Sequence, residues 1–253
     1  IKLFKFHNLK IKYICYNIMT DLILCGAIIQ QDDLIDKCIK SVKDHKFEKK
    51  YILFDGPPAG KHQYQYDQYK EYKARIKEEY PEFEIIEEDE NLYYKPLLEK
   101  FIRNNLEKLS ENLFIIQDDV EVDAFNLEDI LKVKADKGDC KILYIGEKRK
   151  RAPHWFSVID DTDEKLTKVH GWAERVYIVT KGDFISIMDY LDKTHPNKKR
   201  GGCNGKFIDV YYYNMKQRKT WKQITEEEKL EYWKHWGIYD LKDVFHRHLV
   251  AKR

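Results

Sequence analysis

The feature that most constrains this chain is the alternation, in its first half, of short apolar runs with segments of helical period. Leu22-Ile23-Leu24-Cys25-Gly26-Ala27-Ile28-Ile29, Tyr51-Ile52-Leu53-Phe54, Phe83-Glu84-Ile85-Ile86 and Leu113-Phe114-Ile115-Ile116 are of strand length. Most are apolar on successive residues, as in strands covered on both faces. Between the first two runs, Leu34, Ile35, Cys38, Ile39 and Val42 recur at helical spacing behind Asp32, a capping residue. The stretch from Gln65 to Tyr80 is charged, tyrosine-rich and helical in character. Leu97, Leu98, Phe101, Ile102, Leu106 and Leu109 form a stripe behind Pro96, which suits a first helical position. Asn126 caps a further short helix through Leu131. A β-α-β-α-β-α-β order predicts an α/β fold with a mostly parallel central sheet flanked by helices.

The second half is less regular. Lys141 to Ile145 and Arg175 to Val179 read as strands, and Phe184 to Leu191 reads as a helix. Residues 194–206 read as a loop, and Thr225-Glu226-Glu227-Glu228 as a capping box opening a late helix. No composition break marks a second domain. The expected organisation is an N-terminal extension over 1–18, then one domain over 19–253 with a first half to about 135 and a second from about 136. In the extension, Lys2, Lys5, Lys10 and Lys12 interrupt the apolar residues too often for a signal-peptide core.

A net charge of +2 produces no bulk field favouring nucleic acid, so none is expected as a partner. The five cysteines are scattered, without the spacing of a zinc knuckle or a disulfide framework. They fit a reducing, cytoplasmic location. No apolar run is long enough to predict a transmembrane helix. The basic-aromatic stretches Trp233-Lys234-His235-Trp236 and His246-Arg247-His248 leave a lid or peripheral membrane contact open, and read most simply as a packing tail.

Open α/β sheets bind ligands at the carboxyl ends of their strands. Three features fall there: Gly26-Ala27, Asp55-Gly56 and the cluster Gln117-Asp118-Asp119-Val120-Glu121. Adjacent carboxylates repel each other unless something positive lies between them. A hard divalent cation does this and also neutralises a diphosphate. The glycine-proline stretch Gly56 to His62 is not a phosphate loop. It has three residues between glycines instead of four, a His where Ser or Thr is needed, and two prolines that remove backbone donors.

An apolar strand ending in an Asp-x-Asp-like cluster resembles the GT-A glycosyltransferases. Phe114-Ile115-Ile116-Gln117-Asp118-Asp119-Val120 is most similar to the Glu-Asp-Asp version in the lipopolysaccharide-type glycosyltransferases of family 25. Gly171-Trp172-Ala173-Glu174-Arg175-Val176-Tyr177-Ile178-Val179 also resembles that group's glycine-to-strand-to-helix pattern. The sequence departs at Gln117, where an acid is usual. The resemblance implies a GT-A fold and transfer of a sugar from a nucleoside-diphosphate donor, a UDP- or GDP-sugar, to a glycan or protein hydroxyl. Mn2+ or Mg2+ is the expected cation, on Asp119, Glu121 and His170. Gly26, Ala27, Asp55, Gly56, Lys95 and Asp118 are the expected donor contacts. Asp209 or Glu174 is the expected general base, and Trp155 and Trp172 are candidate acceptor platforms. The rival readings are a nucleotidyltransferase that makes sugar nucleotides, although Gly26-Ala27-Ile28-Ile29 lacks its basic glycine-rich loop, and a non-catalytic nucleotide-sugar-binding module of the same fold.

Overall fold

The computed structural model describes residues 19–26, 32–56, 66–147, 156–171, 175–194 and 237–249. The first half follows the predicted alternation: β1 (Thr20–Gly26), α1 (Asp32–Val42), β2 (Lys50–Phe54), α2 (Tyr66–Glu79), β3 (Glu84–Glu87), α3 (Tyr94–Asn104) and β4 (Asn112–Gln117). After a turn at Asp118-Asp119 come β5 (Val120–Val122), α4 (Leu127–Asp136), β6 (Ile142–Tyr144), β7 (Phe156–Asp160) and β8 (Leu166–Gly171). The described elements end with β9 (Val176–Thr180), α5 (Lys181–Thr194), β10 (Ile238–Leu241) and β11 (His246–His248).

Nine strands form one sheet in the order β3-β2-β1-β4-β9-β6-β10-β8-β7. The first four are parallel neighbours. Only β9 and β8 run against the rest among the described strands, because β4 and β6 are each antiparallel to β9, and β10 and β7 to β8. β5 and β11 pair antiparallel in a separate two-stranded ribbon.

The apolar runs become core because alternate residues face opposite sides. Leu22, Leu24, Ile52, Phe54, Phe114 and Ile116 pack under α1, α2 and α4. Ile23, Cys25, Leu53, Leu113 and Ile115 pack under α3 and α5. Leu113 through Ile116 are fully buried, and each such side chain contributes about 1.5–3 kcal/mol. At the amino end of β1, the buried Asp21 carboxylate accepts the amide and hydroxyl of Ser110, both at 2.8 Å, and so ties the approach to β4.

Helix boundaries follow local chemistry. The Asn126 side chain accepts from the amides of Glu128 and Asp129 at 3.0 and 3.4 Å, as the cap reading requires. The helix runs on past Leu131 to Asp136. α3 starts two residues before Pro96, and its first bond runs from the Leu97 amide to the Tyr93 carbonyl, at 3.0 Å. Pro96 is tolerated there because first-turn N–H groups have no partner within the helix. No described helix is long and apolar enough to cross a membrane. Thr194, expected to open the loop 194–206, instead ends α5; the rest of that loop and the late helix at Thr225 lie outside the described residues.

Candidate functional site

The carboxyl ends of β1, β2 and β4 are level, because Gly26 pairs with Phe54 and Cys25 with Gln117. Register therefore brings Asp55-Gly56 and Asp118-Asp119 to the two sides of Gly26. Asp118 is nearly buried, and its amide donates to the Cys25 carbonyl at 3.2 Å. Burial pushes the Cys25 thiol far up; Lys95 opposes that, while Asp118 and Asp55 add to it. These three charges therefore surround the end of β1, where the sequence placed the donor contacts Gly26, Asp55, Gly56, Lys95 and Asp118. Ala27 lies outside the described residues.

The Asp55 carboxylate is buried and turned onto backbone. One oxygen accepts from the amides of Gly56 and Leu92, at 3.0 and 2.7 Å, and the other from Tyr93 at 2.7 Å. Burial raises its proton affinity above the ordinary carboxylate range, and the three N–H donors oppose this. The Asp55 carbonyl accepts the Tyr69 hydroxyl at 2.6 Å. Gly56 is required by close approach: a Cβ there would lie 2.3 Å from the Glu90 carbonyl carbon. Asp55 and Gly56 thus fix the segment 90–93 against the end of β2.

Asp119 is arranged differently. Its Oδ2 lies 2.9 Å from His248 Nε2, and its Oδ1 is shielded from solvent without a hydrogen-bond partner. The ribbon makes this pair. His248 stands opposite Val120 and His246 opposite Val122. The Leu249 amide donates to the Asp119 carbonyl at 2.6 Å, and the Asp123 amide to the Phe245 carbonyl at 2.8 Å. The run His246-Arg247-His248 is therefore part of the site as a strand. The only sequence signal for this is its two-residue alternation, because Asp119 lies 129 positions away. His246 is fully buried; its Nδ1–H donates to the Ile145 carbonyl at 2.6 Å, and burial lowers its proton affinity.

The other expected metal ligands stand at other strand positions. Glu121 alternates with the buried Val120 and Val122 and stands opposite Arg247, with 3.9 Å between their charged groups. The His170 backbone is in β8, opposite Ser157. Among the described residues, no three His, Cys, Asp or Glu side chains cluster to hold a metal. An unpartnered carboxylate oxygen beside an imidazole nonetheless fits a divalent cation that takes its remaining ligands from a bound diphosphate.

Lys95 is buried between the Tyr94 and Tyr177 rings, 4.5 and 4.8 Å from their centroids, and donates to the Tyr177 hydroxyl at 3.2 Å. Among the described residues, two non-glycines have positive φ: Tyr93 at 63° and Arg175 at 66°. Both border this edge. With ψ at 162°, Tyr93 occupies a region populated essentially by glycine, at a cost of about 1–3 kcal/mol. The Arg175 carbonyl accepts the Gln117 amide at 2.8 Å, and its guanidinium lies 3.3 Å from Glu147. Asp209, Glu174, Trp155 and Trp172 lie outside the described residues. A cleft of 910 Å³ lined by Thr20, His45, Phe125 and Leu131 opens at the opposite, amino end of the sheet and contains none of these groups.

No protein-family model matches the sequence, and no curated protein does. Solved structures do share the fold. GalNAc-T7 with UDP, GalNAc and Mn2+ superposes with a TM-score of 0.59 at 9% identity, over 93% of this chain and 45% of that one. This chain thus spans less than half the length of that relative. HddC from Yersinia pseudotuberculosis (TM-score 0.42, 12% identity, 66% of this chain and 79% of that one) and S. aureus TarS (0.40, 12%, 69% and 30%) superpose too loosely to bear on the chemistry. The fold is the GT-A α/β type that the sequence predicted.

Proposed function

We propose that this chain is a divalent-metal-dependent glycosyltransferase, moving a sugar from a nucleoside-diphosphate donor to a hydroxyl of a glycan or protein, akin to the family 25 enzymes. The observation that carries this reading is the Asp119–His248 pair at the carboxyl edge of β4, with one carboxylate oxygen unpartnered. The fold's likeness to a protein crystallised with UDP, GalNAc and Mn2+ supports it.

Asp119 and His248 would hold Mn2+ or Mg2+, with Asp118 beside them and Glu121 and His170 as further candidates. The cation supplies charge neutralisation for the departing diphosphate. Gly26, Ala27 and Gly56 would lie along the donor at the strand ends. Lys95 adds positive charge beneath the site, and Asp55 shapes its floor. Asp209 or Glu174 would take the acceptor's proton, and Trp155 and Trp172 would stack on the acceptor sugar.

A thermal-shift panel of UDP, GDP, ADP and CDP, each with and without Mn2+, tests this. A stabilisation that needs both nucleotide and metal is expected, because ligand bound only to the folded state raises its melting temperature. Asp119→Asn should abolish the metal-dependent stabilisation. No shift with any nucleotide would overturn the reading. Donor turnover that depends on pyrophosphate would favour the nucleotidyltransferase, and binding without donor hydrolysis or transfer would favour the non-catalytic module.

A further inference from the structure

Asp119 and His248 meet from 129 positions apart, so their backbones must be held at a fixed spacing. A closed circuit of hydrogen bonds does this. Beside the acidic turn, the Gln117 amide donates to the Arg175 carbonyl at 2.8 Å, and the Ile145 amide to the Val176 carbonyl at 3.1 Å. His246 then joins β11 to the end of β6 twice. Its amide donates to the Gly146 carbonyl at 2.9 Å, and its Nδ1–H to the Ile145 carbonyl at 2.6 Å. The Leu249 amide, on Asp119, returns the circuit to the turn at 2.6 Å. His246 is a poor choice as mere packing. It is fully buried, yet its Nε2 has no hydrogen-bond partner among the described residues. Buried polar atoms are normally paired, and an apolar side chain would fill the space without an unmet nitrogen. What such a side chain lacks is the Nδ1–H donor.

We infer that His246 is a positioning residue for the cation site: its Nδ1–H bond to the Ile145 carbonyl sets where His248 stands against Asp119. This rests on the reading of Asp119 and His248 as metal ligands. Residues two apart in a strand point to the same face. His246 and His248 therefore share one face of β11, opposite the buried Val122 and Val120, while Arg247 between them is exposed. A displacement of His246 is thus passed to His248 through a single intervening residue. Metal ligands commonly depend on neighbours that orient them. Here the neighbour acts on the strand that carries the ligand, not on the ligand's own ring.

The test measures Mn2+ retained by the full chain in equilibrium dialysis, alone and with whichever of UDP, GDP, ADP and CDP stabilises the chain most. His246→Leu should weaken retention roughly 10–100-fold while the chain still melts cooperatively. Asparagine places an amide N–H where the imidazole has Nδ1–H, and glutamine places its amide at the Nε2 position. His246→Asn should therefore retain Mn2+ like the natural chain, and His246→Gln should lose it as His246→Leu does. Electron spin-echo spectra at saturating Mn2+ add a signature that packing alone would not move. An imidazole nitrogen coupling is expected in the natural chain and in His246→Asn, and its loss is expected in His246→Leu. Unchanged retention in His246→Leu would overturn the inference, and so would retention by His246→Gln equal to or above that of His246→Asn. If His246→Leu does not fold, the asparagine and glutamine variants decide the matter alone. If the natural chain retains no Mn2+, the metal reading itself fails, and this inference with it.

Discussion

Asp55 and Asp119 both follow apolar strands at the same edge of the same sheet, with β1 between those strands, yet their surroundings differ. Asp55 is 4% exposed and accepts three backbone amides from its own and a neighbouring loop. Asp119 is a quarter exposed at the side chain, keeps one oxygen unpartnered and faces an imidazole from the far end of the chain. A carboxylate with its lone pairs filled by the protein holds the fold. The one left short of donors, beside an imidazole, is the one proposed to hold the cation. Position at a strand end is thus shared by an acid whose oxygens the protein fills and one it leaves partly open, and the hydrogen-bond inventory separates them.

The sharpest way to break this comparison is to remove both acids and ask what is lost. Asp119→Ala should cut donor turnover in Mn2+ by about 10³-fold, equivalent to about 4 kcal/mol of transition-state stabilisation, with a melting temperature close to that of the natural chain. His248→Ala should weaken metal affinity by roughly 10–100-fold, as metal-site neighbours commonly do. Metal titration and thermal melts on the same samples distinguish these outcomes, and unfolding of Asp119→Ala would erase the contrast. Gly56→Ala forces a Cβ to within 2.3 Å of the Glu90 backbone and should destabilise by about 2–4 kcal/mol in denaturant unfolding. Asp55→Asn replaces one acceptor oxygen by an NH2 group facing N–H donors. A loss of about 1–3 kcal/mol is expected, with weaker nucleotide binding and an intact metal requirement.

The smallest effect comes from the other end of the sheet. His45 stacks on Phe125 with ring centroids 3.9 Å apart, and burial lowers its proton affinity below the ordinary value of 6.5. The unfolded chain therefore takes up this proton first as pH falls. Stability is full above pH 6.5 and declines as pH drops below it, until the folded state also binds the proton. His45 is only half-buried, so the change should stay below about 1 kcal/mol. Melts of His45→Phe across this range should lack that component, leaving any pH effect of the carboxyl edge readable alone.

Much of the first half was legible because its signals are local. The apolar run Leu113 to Ile116 buries both faces, and Ile35, Cys38, Ile39 and Val42 line one side of α1, as spacing alone predicts. In the second half, β6 and β9 were legible for the same reason. β7, β8, β10 and β11 were not. Phe156–Asp160 and Leu166–Gly171 mix charge with apolar residues, and His246–His248 is three residues of polar chain. β10 enters the sheet between β6 and β8 from nearly a hundred residues beyond β6, with Ile238 paired to Ile142. Pairing of that kind depends on where the rest of the sheet leaves an edge, which no local pattern records.

The candidate site divides in the same way. Apolar runs and helical spacing were enough to establish an α/β sheet whose carboxyl edge bears Gly26, Asp55-Gly56 and Asp118-Asp119. Those properties follow from the periodicity of side chains along the backbone. Which acid is filled and which is left open was decided only in three dimensions. Two of the three partners of Asp55 lie 37 and 38 positions away, and His248 is 129 from Asp119. A carboxylate's role depends on the donors that reach it, and folding brings those donors from parts of the chain that carry no local trace of the meeting.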